Sequence, residues 1–176
     1  MLKIKMYGLG GQGVVTAGKV LCHAYGMGEG SYAKALPDYG HERRCGVVVS
    51  DVRTDEKPIL SNSFIYDPDV VIVFSDLKER DVTVGIHKDS ILLLNTNEPV
   101  EPFISKFKEC YYADCTGISL ACIKKNLPNI AMLGVMIKAG LIEEEKVTSS
   151  INEMFQNNAE SYNELIKEAY YAAKKL

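Results

Sequence analysis

Two short blocks bring together residue types that could hold an anion. The first is Gly8-Leu9-Gly10-Gly11-Gln12-Gly13, in which Gly8, Gly10 and Gly13 fit the spacing G-x-G-x-x-G. Glycines there allow a tight turn and a close backbone approach. A helix starting at that point offers its first N–H groups and positive dipole end to a phosphate. Gln12 adds a neutral amide that can both donate and accept. The second block is Glu42-Arg43-Arg44, directly after Pro37-Asp38-Tyr39-Gly40. Paired guanidinium forks suit a diphosphate or a carboxylate, which they bind bidentately. A plainer reading stands beside each. The glycines alone would let a strand turn into a close-packed helix, and the arginines alone would serve an ion pair or a subunit contact.

The loop needs a strand before it and a helix after it, and the sequence supplies both. In Leu2–Tyr7, Leu2, Ile4 and Met6 alternate onto one face, as in a strand. Val14–Tyr25 carries Val14, Ala17, Leu21 and Ala24 on one helical stripe, with Gly26 where a C-terminal cap belongs. Ser31–Leu36 reads as a second strand broken by turn chemistry at Pro37–Gly40. Cys45–Val52 is β-rich, and Pro58-Ile59-Leu60 reads as a short edge piece. Asp69–Ser75 and Ser90–Asn95 hold continuous apolar runs, the pattern of strands covered on both faces in a parallel sheet. Cys110–Ala113 is a weaker strand. The last third turns helical over Ile118–Asn126, Ile130–Ala139, Glu143–Phe155 and Ala159–Leu176, with Pro128 breaking the first from the second. The expectation is one α/β domain over residues 1–176: a Rossmann-like, mostly parallel sheet with flanking helices and a helical C-terminal third.

Other chemistries are poorly served. The dinucleotide fingerprint requires an acid about 20 residues beyond the glycines. Ala33-Lys34-Ala35 occupy that region, with Glu29 early and Asp38 in the turn block, which argues against NAD. The 176 residues carry 23 Asp and Glu against 20 Lys and Arg, for a net charge of −3. That balance lacks the basic footprint of a nucleic-acid binder. No apolar run reaches the ~18 residues of a membrane helix, and no export signal opens the chain, so a cytoplasmic location is expected. The five cysteines include no Cys-x-x-Cys and no cluster-ligand run, and read as structural thiols. Three dispersed histidines make poor metal ligands, with His41 the one polar candidate beside the arginines. No residue is assigned as catalytic or metal-binding.

The block Gly8-Leu9-Gly10-Gly11-Gln12-Gly13-Val14-Val15-Thr16-Ala17 resembles the start of the gamma subunit of 2-oxoacid:ferredoxin oxidoreductases, nearest the pyruvate synthase type. A second block supports the likeness: Ala35–Arg44, then Val47–Arg53, then Pro58-Ile59. In that family a Tyr/Phe-Gly-Pro-Glu-Arg-Arg-Gly segment precedes a strand ending in Arg. Asp67-Pro68-Asp69, Asn129–Gly134 and Asn158-Ala159 extend the resemblance over nearly the whole chain. His41 departs where proline is usual, and Cys45 where glycine or alanine is usual.

The resemblance implies a subunit of a complex that converts a 2-oxoacid and coenzyme A to acyl-CoA and CO2. In such complexes, thiamine diphosphate with magnesium and the 4Fe-4S clusters sit in partner subunits, the alpha, beta and ferredoxin-like delta chains, and ferredoxin accepts the electrons. This chain alone would be inactive. Its cofactor contact would be coenzyme A, with Gly8, Gly10, Gly11, Gln12, Gly13, Arg43 and Arg44 as the binding residues. That site assumes the second strand lies beside the first, and aromatic anchors for partners are expected at Tyr39, Tyr111 and Tyr162. Two alternatives remain. One is a free-standing nucleotide- or flavin-binding module. The other is the gamma subunit of a complex for 2-oxoisovalerate, 2-oxoglutarate or an aryl oxoacid.

Overall fold

The computed structural model describes residues 1–38, 46–75, 82–99 and 104–176. Strand β1 (Leu2–Leu9) runs into the glycine loop and helix α1 (Val14–Tyr25), as the alternation and the helical stripe require. Next come β2 (Tyr32–Asp38), β3 (Val47–Asp55), β4 (Val70–Val73), β5 (Ile91–Asn95) and β6 (Glu109–Ala113). The rest of the chain is α2 (Cys115–Ile123), α3 (Pro128–Lys138), α4 (Glu144–Met154), α5 (Ala159–Ala172) and a short β7 (Lys174–Lys175). The seven strands form one sheet in the order β2-β3-β1-β4-β5-β6-β7.

The four central strands, β1, β4, β5 and β6, are parallel. All four residues of β4 are buried, which is why its sequence shows no alternation. On one face Ile4, Met6, Ile72 and Leu93 join residues of α1, α3, α4 and α5 in the larger core. On the other, Tyr7, Val71, Val73, Leu92 and Leu94 pack with Val82, Ile104 and Phe107. Among the described residues, no single helix is long and apolar enough to cross a membrane. The apolar α3 is a core helix, buried continuously from Pro128 to Met136.

Several expectations need correcting. The second strand does not neighbour the first: β3 lies between them, antiparallel to both. A β-rich run advertises a strand but not its partner, and here β2 and β3 pair with each other first. Pro37 and Asp38 do not turn; they continue β2, with Pro37 opposite Ser50. The strand accepts proline because it lies at the sheet edge. Pro58-Ile59-Leu60 is not a strand. The last helix stops at Ala172, where Ala173 turns extended, and Lys174–Lys175 then pair with β6. Tyr111 and Tyr162, expected as surface anchors, belong to the core at 8% and 9% exposure; Tyr39 lies outside the described residues.

Helix ends follow local chemistry. Asp114 caps α2 by accepting from the Gly117 N–H at 2.7 Å. Pro128 opens α3 at its first turn, where a missing N–H costs nothing. Gly134 lets α3 meet α5 at backbone distance, since a β-carbon there would overlap the Ile166 carbonyl and crowd Tyr170 and Ala169.

Two outcomes follow. Gly134→Ala gains helix propensity but forces α3 and α5 apart, so urea unfolding should show a net loss of about 1–3 kcal/mol. At the other edge Glu109 accepts from Lys175 Nζ (3.1 Å) and from the Tyr111 hydroxyl (2.9 Å). The lysine contact, then the tyrosine, hold its carboxyl below the ordinary glutamate range. A lowered folded value means the contact helps above that ordinary range and fades as pH falls through the lowered one. NMR titration should find Glu109 below the usual range, and returning toward it in Lys175→Met.

Candidate functional site

The carboxyl ends of β1, β4, β5 and β6 share one edge of the sheet, the edge where ligands of open α/β folds bind. The glycine loop stands at its middle. Backbone and side chain of Gln12 fold the loop onto the strands. The Gln12 N–H donates to the Leu9 carbonyl at 3.1 Å, and the Leu9 N–H donates back to Gln12 Oε1 at 2.7 Å. Gln12 Nε2 then reaches the Phe74 carbonyl just beyond β4, at 3.4 Å. The Leu9 donor fixes which end of the amide is oxygen.

The glycines divide by role. A β-carbon on Gly8 would lie 2.6 Å from Val14 Cγ2 and 2.9 Å from Gln12 Oε1, so packing excludes a side chain. Gly13 caps α1 in the left-handed region at φ 75°, and a β-carbon there would lie 2.5 Å from the Asn129 carboxamide. Gly10 donates its N–H to the Gly46 carbonyl at 3.2 Å. Gly11, at φ 95°, has nothing within 4 Å of the position a β-carbon would take. At this position the loop faces open space. Behind it, α1 begins with no side-chain cap and no acidic residue in its first turn. The helix dipole at that end is therefore not neutralised by its own side chains.

Arg43, Arg44, Glu42, His41 and Cys45 lie outside the described residues. Their flanks are informative. Asp38 ends β2 opposite Val49, and Val47 starts β3 opposite Leu9. The connection from β2 to β3 thus leaves and re-enters the sheet at the edge that carries the glycine loop. The Gly10–Gly46 hydrogen bond ties its exit to the loop itself.

Three polar residues at this edge had no role in the sequence reading. Asn95 donates to the same Phe74 carbonyl at 2.7 Å, and its amide pairs with Thr116, N–H to Oδ1 at 3.1 Å and Nδ2 to Oγ1 at 2.9 Å. Asn129, 2% exposed, packs against Gly13. The available signal was an asparagine closing an apolar strand and another following Pro128.

Three of the described thiols are not poised for chemistry. Burial pushes the Cys115 thiol far up, and the charge of Asp114 adds to it. Desolvation also raises Cys22 and Cys122. Thiols so raised stay protonated at neutral pH. His23 bridges Ser150 and Glu153, and His87 lies 3.3 Å from Asp69. Among the described residues no three His, Cys, Asp or Glu side chains gather as metal ligands.

Residues 3–175 match the model of the pyruvate ferredoxin/flavodoxin oxidoreductase family. A curated relative, the pyruvate/ketoisovalerate oxidoreductases common subunit gamma of Pyrococcus abyssi, is 40% identical over 162 residues. That match covers 88% of this chain and 87% of the relative. Pyruvate synthase subunit PorC of Methanothermobacter marburgensis is 34% identical over 158 residues, with 88% and 87% covered. The fold is that of the crystal structure of pyruvate oxidoreductase subunit PORC from Thermotoga maritima. There the TM-score is 0.82 at 28% identity, covering 99% of this chain and 97% of that one.

The Gln12 latch can be tested directly. Gln12→Leu removes two hydrogen bonds and should lower unfolding free energy by about 1–3 kcal/mol. Gln12→Glu keeps the acceptor for Leu9 but sets a carboxylate against the Phe74 carbonyl. Its folded value should be raised, so the variant should be most stable in acid and lose stability as pH climbs through that value. Thermal melts across pH will show whether this slope is absent from the parent chain.

Proposed function

Because the chain belongs to the pyruvate ferredoxin/flavodoxin oxidoreductase family, we propose that it is the non-redox gamma subunit of a 2-oxoacid:ferredoxin oxidoreductase, with pyruvate as the 2-oxoacid. The observation that carries this reading is end-to-end similarity to chains that are themselves named as subunits, at 40% and 34% identity. The complex would join a 2-oxoacid to coenzyme A with loss of CO2, in the cytoplasm, and deliver electrons to ferredoxin. Thiamine diphosphate with magnesium and the 4Fe-4S clusters would belong to alpha, beta and delta partners. Relatives named as subunits weigh against a free-standing nucleotide- or flavin-binding module. A second reading has a specific support: the Pyrococcus relative is named as common to pyruvate and ketoisovalerate enzymes. One gamma chain would then serve more than one 2-oxoacid.

Within the complex this chain would contribute a phosphate-binding wall of the coenzyme A site. The described residues fit an anionic group. Gly11 leaves space above the loop, and α1 presents an uncapped, acid-free first turn. Backbone N–H groups there would hold a diphosphate without bringing a charge of their own. Gln12 would keep the loop in register while it does so. Arg43 and Arg44 would supply charge from the β2–β3 connection, whose exit at Gly46 is hydrogen-bonded to Gly10. Coenzyme A supplies the thiol that receives the acyl group. The part of this chain is to bind and orient it.

The deciding experiment uses the intact complex carrying Arg43→Ala or Arg44→Ala. Each lost charge-assisted contact should raise KM for coenzyme A about tenfold or more, with the KM for pyruvate unchanged. An unchanged coenzyme A dependence would make the arginines structural. Turnover of pyruvate and coenzyme A by the isolated chain would overturn the subunit reading.

A further inference from the structure

Asn129 holds a polar atom that the fold does not use. It is the second residue of α3 and 2% exposed, and its carboxamide oxygen Oδ1 is enclosed with no hydrogen-bond partner among the described residues. A buried acceptor left unpaired costs stability, and an apolar side chain of the same shape would avoid that cost. Asparagine at this position is therefore not explained by what it does for the fold. Ser75 Oγ is likewise enclosed and unpartnered, one residue beyond the Phe74 carbonyl that Gln12 and Asn95 share. The edge that carries the glycine loop is thus short of partners in two places.

The Asn129 carboxamide is aimed at the start of α1. A β-carbon on Gly13, the cap residue of that helix, would lie 2.5 Å from Nδ2, 2.6 Å from Cγ and 2.9 Å from Oδ1. On that side the group against the amide is a glycine, with no side chain of its own. Two residues earlier, Gly11 leaves open space. Two helices begin here. Neither α1 nor α3 has a side-chain cap, and neither carries an acidic residue in its first turn. Their positive ends suit the phosphate of a ligand. An ionised phosphate only accepts, so it cannot satisfy Oδ1. That oxygen requires a donor, an O–H or N–H, close beside the phosphate.

We propose that Asn129 is a further binding residue of the glycine-loop site, and that its carboxamide oxygen accepts from a hydroxyl or amide N–H of a phosphate ester seated over Gly11. The helix starts take the phosphate, and Asn129 reads the group beside it. The site then separates a phosphate ester that carries such donors from a bare phosphate anion. Coenzyme A has this chemistry, since its diphosphate stands between a ribose and a pantetheine arm that bear hydroxyl and amide groups. The proposal rests on the reading of the loop as a wall of the coenzyme A site, and adds to it one residue and the part of the ligand that residue recognises.

The test uses the intact complex and two probes, coenzyme A as substrate and inorganic diphosphate as its competitor. Asn129→Leu keeps the volume and removes the acceptor, so the variant chain should melt no lower than the parent. In the complex it should raise KM for coenzyme A about tenfold, with the KM for pyruvate and the inhibition constant of inorganic diphosphate unchanged. Asn129→Ser removes the carboxamide at smaller volume and should give the same split; it serves if Asn129→Leu fails to fold. If coenzyme A and diphosphate weaken together, Asn129 only shapes the loop and the proposal is overturned. If neither changes, Asn129 is outside the site and the proposal is again overturned. If inorganic diphosphate does not compete with coenzyme A in the parent complex, the phosphate-binding wall itself falls, and Asn129 with it.

Discussion

The carbonyl of Phe74, at the carboxyl end of β4, collects side-chain amides from two directions. Gln12 reaches it from the glycine loop and Asn95 from the end of β5. A parallel sheet ends in carbonyls with no partner in the ladder, and buried ones must find donors elsewhere. Here the donors come from the segments that have to be held. Gln12 fixes the loop after β1 while closing on Leu9, and Asn95 hands on to Thr116 at the start of α2. Three strand ends and two helix starts are tied by a pair of carboxamides. The position of Gly11 over open space depends on that tie, because a loop of glycines has little shape of its own.

Packing then makes the loop expensive to vary. Gly8 is pressed against Val14 and Gly13 against Asn129, so both positions are set by neighbours rather than by a ligand. The glycine loop therefore serves two masters: Gly8 and Gly13 are held by packing, while Gly11, with the uncapped first turn behind it, faces outward. A cofactor fingerprint and a packing requirement look identical in sequence; they separate once the contacts of each glycine are known.

Local periodicity made much of the architecture legible. The strand–loop–helix opening and the apolar runs at Val70–Phe74 and Ile91–Leu94 fall where their patterns place them, because burial on both faces leaves a direct trace in composition. Pairing order leaves no such trace. Nothing in Val47–Asp55 announces that it inserts antiparallel between β2 and β1, and that insertion is what carries the β2–β3 connection to the edge of the glycine loop. The partner of Gln12 was equally hidden, since Phe74 lies 62 residues away. Tyrosine misled in another way. A residue with an apolar body and a polar tip suits both an interface and a core. Tyr111 settles inside because Glu109, two residues back on the same strand face, accepts its hydroxyl.

The two rims of the sheet have a consequence for the life of the chain before it meets other chains. Along one rim runs β2, which contains Pro37, a residue with no N–H for any ladder, and carries Lys34 on its face. Along the other runs β7, two residues long and both lysine. Brevity, lysine and proline are the devices by which natural sheets refuse a further strand. A subunit translated ahead of its companions is exposed to copies of itself at high local concentration. With both rims blunted, edge-to-edge pairing between copies of the newly made chain is disfavoured.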